Sequence, residues 1–161
     1  MSEAPYDAVW NGPLGRIGVR VSDDYVTDID WLAAGPARTS THPLAAETVR
    51  QLAAWFDDPG RFRFSLPLSP APTPFQRRFR ERLCAVPPGE VRTYGALAAE
   101  LNSAPRAVGG ACRANPLPLV VPCHRVVAAD GIGGYGGDWG AGPAVDFKQR
   151  LLDLERRALG L

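Results

Sequence analysis

The sequence predicts an α+β protein: a small N-terminal sheet-and-helix domain followed by a mainly helical C-terminal domain with a helix-turn-helix. Three observations predict it. Alternating apolar and polar residues dominate the first third of the chain, the period of half-buried strands. A stretch with four prolines, Pro67, Pro70, Pro72 and Pro74, then interrupts the pattern. Beyond it, cap residues and apolar positions spaced three and four apart take over, the period of helices.

In chain order, a strand is expected near Tyr6 to Trp10, turning at Asn11-Gly12-Pro13. Ile17, Val19 and Val21 alternate with Gly18 and Arg20 as a second strand. Asp23-Asp24 is a turn, and Tyr25 to Leu32, rich in β-branched and aromatic residues, is another strand. A helix starts near Thr41 with Pro43 in its first turn, where a missing N–H costs little. Val49, Leu52, Ala53 and Phe56 make its apolar stripe. Phe62, Phe64 and Leu66 alternate as a last strand. The expected divisions are a scaffold domain at 1–68, a stiff linker at 69–74 and a second domain at 75–161.

In the second part Thr73 caps a helix from Pro74 to about Cys84, with Phe75, Phe79 and Leu83 on one face. Thr93 caps a short helix from Tyr94 to Leu101, and Pro105 opens another reaching about Ala114. Two short helices joined by a tight turn are a helix-turn-helix candidate, and small residues on the second would admit DNA closely. A final helix is expected from about Asp146, with Phe147, Leu151 and Leu154 as its stripe.

Composition narrows the class. In 161 residues, 45% are hydrophobic and 22% charged, as in ordinary soluble globules. No apolar run reaches the roughly 20 residues that span a bilayer. The first residues show no signal-peptide pattern, so a cytoplasmic location without membrane attachment is expected. Three cysteines, Cys84, Cys112 and Cys123, argue against a disulfide framework. Two histidines, His42 and His124, and no Cys-x-x-Cys pair argue against structural zinc, so no metal is expected. Net charge is only +1, but Arg77, Arg78, Arg80, Arg82, Arg92, Arg106, Arg113 and Arg125 cluster within 77–125, compatible with DNA or with a solvated basic surface.

The chemistry concentrates at Pro122-Cys123-His124-Arg125. Apolar residues before it exclude water from a thiol, an imidazole can take the thiol proton, and a guanidinium can hold an acceptor. A buried structural cysteine is the competing reading, and it accounts well for Cys84 and Cys112. Adjacent residues on a strand point to opposite faces, so Cys123 and His124 cooperate only if the backbone turns or a water bridges them. As a base, His124 needs a partner for its second ring nitrogen, and Glu155 is a candidate. Residues 131–137 hold five glycines in seven positions, a loop able to bend around a ligand.

Taken together these segments resemble the O6-alkylguanine-DNA alkyltransferases. The resemblance rests on Thr73-Pro74-Phe75-Gln76, Pro88-Gly89-Glu90 with Thr93-Tyr94-Gly95, Arg106-Ala107-Val108-Gly109, Asn115-Pro116, Val121-Pro122-Cys123-His124-Arg125-Val126, Gly134-Tyr135-Gly136-Gly137 and Lys148 to Glu155. It covers 73–155 closely and the N-terminal part only in outline. It implies a monomeric protein that binds double-stranded DNA carrying O6-alkylguanine and flips the base. It implies irreversible, single-turnover transfer of the alkyl group to Cys123 without a cofactor, with O4-alkylthymine a further substrate to test. By the same resemblance His124 is the base, acting through water with Glu155 behind it. Tyr94 donates to guanine N3, Arg106 is the finger that replaces the flipped nucleotide, and Asn115 links recognition helix to active site. Thr93, Ala107, Gly109 and Arg113 would meet DNA; Val121, Tyr135, Gly136 and Gly137 would line the base pocket. Arg125 is read as structural.

The chain departs from the family pattern in the turn before Arg106, which is about two residues shorter, and in the glycine loop, about one residue shorter. About six residues are added within 138–146, and Arg80 replaces a tryptophan. Two other functions fit parts of the chain: a non-enzymatic binder of alkylated DNA, which Cys123 argues against, and a Cys-His-Glu hydrolase, which lacks an identifiable oxyanion hole.

Overall fold

The computed structural model describes residues 6–133 and 143–161. The chain divides into two compact units, Met1–Ser69 and Pro70–Leu161.

In the first unit, β1 (Ala8–Gly12), β2 (Gly15–Val21) and β3 (Val26–Leu32) form an antiparallel sheet in that order. Ile17 and Val19 of β2 and Val26 and Ile29 of β3 are buried against α1 (Pro43–Asp57). Pro43 opens α1 as expected, but its cap is His42, whose Nδ1 accepts from Leu44 N–H at 3.2 Å. The buried positions of α1 are Ala45, Thr48, Gln51, Leu52 and Trp55, not the anticipated Val49, Leu52, Ala53 and Phe56 stripe. The large Trp55 ring takes the inward place. Thr48 can be buried because its hydroxyl bonds the Leu44 carbonyl at 2.8 Å.

The expected strand at 62–66 does not form. Gln51 of α1 takes its place as a partner: Gln51 Oε1 accepts from Ser65 N–H at 2.9 Å, and Gln51 Nε2 reaches Ser65 Oγ at 3.2 Å. Phe62 and Phe64 pack edge to face on each other, with centroids 5.3 Å apart. Pairing begins three positions later. Val26 N–H donates to Pro67 O at 2.8 Å and Ser69 N–H to Val26 O at 3.0 Å, so the front of the proline-rich stretch lies along β3.

In the second unit, α2 (Pro74–Cys84) starts at Thr73, whose hydroxyl accepts from Gln76 N–H at 3.1 Å. Phe79 and Leu83 are its buried residues. Cys84 at its end is exposed, contrary to the buried structural role expected for it. Next come β4 (Arg92–Thr93), α3 (Tyr94–Glu100) and α4 (Pro105–Arg113), then a 3-10 turn at Cys123–Arg125 and β5 (Val126–Val127). The short turn between α3 and α4 is closed by Asn102 at φ 52°, a left-handed conformation that asparagine tolerates.

The last helix, α5 (Pro143–Ala158), begins three residues before the expected Asp146, so the end of the added stretch is helical. Its buried positions are Lys148, Leu151, Leu152 and Glu155. These fall at i, i+3, i+4 and i+7, one face of a helix. The face is turned by one position from the anticipated Phe147, Leu151 and Leu154 stripe because two charged side chains point inward. Among the described residues no helix is long and apolar enough to cross a membrane.

Removing the α2 cap by Thr73→Ala is expected to cost about 1 kcal/mol, and Thr73→Ser much less, read as denaturant midpoints. Equal midpoints for wild type and the alanine variant would show that the cap contributes nothing.

Candidate active site

The site is built on a turn, one of the two arrangements that would let Cys123 and His124 cooperate. Pro122 sits at φ −82°, ψ 67°, and Cys123 N–H donates back to Val121 O at 2.8 Å. This is an inverse γ-turn, with a 3-10 turn directly after it. Cys123 and His124 therefore do not alternate as on a strand. Cys123, His124 and Arg125 are all buried.

Two devices hold the turn. Asn115 follows α4 and bridges: its Nδ2 donates to Val121 O at 2.9 Å and its Oδ1 accepts from Leu117 N–H at 3.0 Å. Its side chain also hydrogen-bonds the Cys123 thiol. Leu119, buried in the same loop, adopts φ 73°. A leucine there is strained by about 1 kcal/mol or more, a cost its burial offsets. The second device is a two-residue parallel ladder, Arg92 with Val126 and Thr93 with Val127. Because α3 starts directly after β4, the ladder sets Tyr94 beside the turn. Thr93 caps α3, accepting from Ala96 N–H at 3.0 Å.

Behind the turn, Glu155 of α5 faces both neighbours of the chemistry. Its Oε1 lies 3.1 Å from His124 Nε2. Arg125 Nε donates to Oε2 at 3.0 Å, Arg125 Nη2 also donates to Oε2, and Arg125 Nη1 donates to Val86 O at 2.7 Å. Lys148, the only lysine in the chain, lies two turns earlier on the same helix face with Nζ 5.6 Å from the Tyr94 ring centre.

Burial governs the electrostatics. It pushes the Cys123 thiol up, against the opposing pull of Asn115 and Lys148. It pushes His124 down, against Glu155. Both effects favour a neutral thiol and a neutral imidazole at rest. Glu155 is held below the usual carboxylate range; burial opposes this, and His124 and Arg125 overcome it. Burial raises the Tyr94 phenol to about 12 and Cys112 to about 12, and lowers Lys148 to about 8. Tyr94 is thus a phenol that donates a hydrogen bond rather than a phenolate.

The structure gathers Cys123, His124, Glu155, Tyr94, Asn115 and Val121 around the turn. Val121 O already accepts from Asn115 Nδ2 and Cys123 N–H, which occupies both its lone pairs. Arg106, Ala107, Gly110 and Arg113 form an exposed stripe on α4, while Gly109 lies on its half-buried flank and Val108 and Ala111 face inward. Nothing lies within 4 Å of a side chain built at Gly110, so this stripe is open to a large partner. Tyr135, Gly136 and Gly137 lie outside the described residues. Just before them, Gly133 at φ 78° passes so close to Tyr94 that a Cβ would sit 3.0 Å from the ring. Sequence reasoning assigned no role to Lys148, although being the only lysine among arginines was an available signal, and it read Gly133 only as part of the 131–137 glycine loop, not as a close neighbour of Tyr94. Among the described residues no cluster of His, Cys, Asp and Glu could hold a metal ion.

The buried imidazole has a consequence for stability. Below its ordinary value of 6.5 the unfolded chain takes up a proton that folded His124 refuses. Stability is therefore complete above that pH and is lost as pH falls, by about 1.4 kcal/mol per pH unit for one proton. His124→Gln is expected to flatten this slope just below pH 6.5, measured by denaturation at each pH. An unchanged slope would mean that His124 protonates freely in the folded protein.

Residues 74–157 match the family model described as the DNA-binding domain of 6-O-methylguanine DNA methyltransferase. The constitutive methylated-DNA–protein-cysteine methyltransferase of Bacillus subtilis is 37% identical over 156 residues, covering 89% of this chain and 91% of that protein. The methylated-DNA–protein-cysteine methyltransferase of Mycolicibacterium paratuberculosis is 38% identical over 156 residues, with 91% and 90% covered. The solved O6-methylguanine methyltransferase of Mycobacterium tuberculosis superposes with a TM-score of 0.75 at 30% identity, over 93% of this chain and 92% of that one. OGT from the same organism in complex with DNA superposes at 0.74, with the same identity and coverage. Family model, near-full-length relatives and solved structures agree, and the chain belongs to the methylated-DNA–protein-cysteine methyltransferase family.

Proposed function

We propose that this chain repairs DNA by moving the alkyl group of O6-alkylguanine onto Cys123 in one irreversible turnover. The observation that carries the reading is the buried Cys123-His124-Glu155 arrangement behind a half-buried Tyr94.

The steps are those that the family resemblance implies for these positions. The exposed α4 stripe meets the duplex, with Arg106 in the first turn entering where the flipped nucleotide leaves. Flipping costs a few kcal/mol of unstacking, which an inserted side chain partly offsets. Residues 75–161 then act as the DNA-binding and acceptor domain and 1–68 as scaffold. In the dry pocket His124 takes the Cys123 proton through a water, and the Glu155 carboxylate stabilises the imidazolium as it forms. The thiolate attacks the alkyl carbon, an Sγ–carbon bond forms, and the carbon–O6 bond breaks with its electron pair going to the purine. The Tyr94 phenol donates to N3 of that purine as its negative charge grows and passes its proton there, so guanine leaves neutral, and the proton held on His124 then restores the phenol through water. Water does not cleave the resulting thioether, so the protein acts once. No cofactor is required by these steps. Cytoplasmic location and action as a monomer complete the reading.

Incubation with a duplex carrying O6-methylguanine, followed by mass analysis, tests it. One methyl group on the peptide containing Cys123, absent from Cys123→Ala, is expected. Tight binding with no mass gain would instead indicate a damage binder, and continuous ester turnover a hydrolase.

Two variants separate the roles. Tyr94→Phe removes one hydrogen bond to developing charge, worth about 1.5 kcal/mol, and should slow transfer about tenfold. Arg106→Ala should slow transfer from duplex DNA while leaving the rate with free O6-alkylguanine base unchanged, since no base has to be flipped. Equal losses on both substrates would remove Arg106 from the finger role.

A further inference from the structure

Glu155 is the only carboxylate among the buried polar residues described, and two bases compete for it. His124 Nε2 faces Oε1 at 3.1 Å. Arg125 holds Oε2 through Nε at 3.0 Å and through Nη2, with a weaker Nε contact to Oε1 at 3.2 Å. The guanidinium is itself fixed by Val86 O at 2.7 Å, so it cannot swing away. A carboxylate facing a lone buried imidazole would draw a proton onto it, and an imidazolium cannot serve as a base. A second cation on the same carboxylate removes that demand.

We propose that Arg125 is a positioning residue for alkyl transfer: it holds Oε2 of Glu155, shares Oε1 with His124, and keeps the resting imidazole neutral and able to accept the Cys123 proton. The inference rests on the alkyl-transfer reading above and goes beyond a structural role for Arg125. The charged and titratable groups around the pair point the same way. His124 faces Glu155 and Lys148 from α5 and Arg125 and Cys123 from its own turn. Both cations lower the affinity of His124 for a proton, and Glu155 raises it. The guanidinium also faces the Cys84 thiol of α2. Removing the charge of Arg125 while keeping Glu155 leaves the carboxylate to His124 alone, so the imidazole protonates at higher pH.

The test is the pH dependence of single-turnover methyl uptake from an O6-methylguanine duplex by the full-length protein. In Arg125→Gln the midpoint of the acid limb should rise by about one pH unit. In Arg125→Lys, which keeps the charge, the midpoint should stay at the wild-type position even if the rate falls. In the Arg125→Gln, Glu155→Gln double variant the rise should vanish, because no carboxylate remains to draw the proton. A purely structural arginine would lower the rate or the melting temperature and leave the midpoint where it is, and that result overturns the proposal. If Arg125→Gln alone does not fold, the double variant is compared with Glu155→Gln alone: a higher midpoint in the double variant shows that the charge of Arg125 opposes protonation of His124 and supports the proposal, and equal midpoints overturn it. A wild-type protein that gains no methyl on Cys123 refutes the alkyl-transfer reading and this one with it. Methyl gain by wild type together with an unmoved midpoint in Arg125→Gln refutes only this one.

Discussion

One buried negative charge constrains the second unit. Glu155 lies in the interior, and a lone carboxylate there would cost several kcal/mol. It is tolerated because Arg125 and His124, from a turn thirty positions earlier, both reach it. The pairing is weak evidence for stability, since well-packed apolar residues could replace it at little cost. It is strong evidence for a specified geometry. Losing one partner strands the other, at about 3–5 kcal/mol, so α5 and the turn are obliged to meet in one register. Lys148, one turn before Leu151 and two before Glu155, enters the same interior beside Tyr94 on that account.

The remaining supports act on the turn itself. Asn115 ties the end of α4 to Val121, so the exposed stripe with Arg106 and the buried thiol share one rigid connection. The two-residue ladder of β4 and β5 delivers Tyr94 to the same place. Neither device buries much area. Each works by fixing backbone, which is what a site needs when reacting atoms must be held to within about 0.5 Å.

Local signals were the legible part of the sequence. Thr73, Thr93 and Pro105 marked helix starts that the structure shows, because capping depends on residues three apart. Strand geometry alone called for either a bend at Cys123 or a bridging water, and the structure has the bend. What failed was long-range or counter to hydrophobic pattern. Phe62, Phe64 and Leu66 alternate like a strand, but the Gln51 side chain satisfies that backbone. The inward face of α5 was misplaced by one residue because Lys148 and Glu155 belong to it, and charge normally signals solvent. β4 and β5 are two residues each, too short for periodicity to register. Arg125 was readable as a clamp but not as a partner of Glu155, since no spacing rule links positions thirty apart. The family resemblance, by contrast, singled out Cys123, His124, Glu155, Tyr94 and Asn115, which the fold gathers at one turn.

The account depends on the protonation state of one side chain. With burial and two cations opposing Glu155, His124 should rest as a neutral imidazole, ready to take a proton only when the thiol gives one up. The chain has just two histidines, so ring signals in a histidine-labelled NMR titration divide into His42 and His124, assigned with His42→Gln. The account predicts that the His124 ring is still neutral at pH 6.5, the ordinary imidazole value, and takes up its proton only below it. A His124 signal already protonated at neutral pH would contradict it.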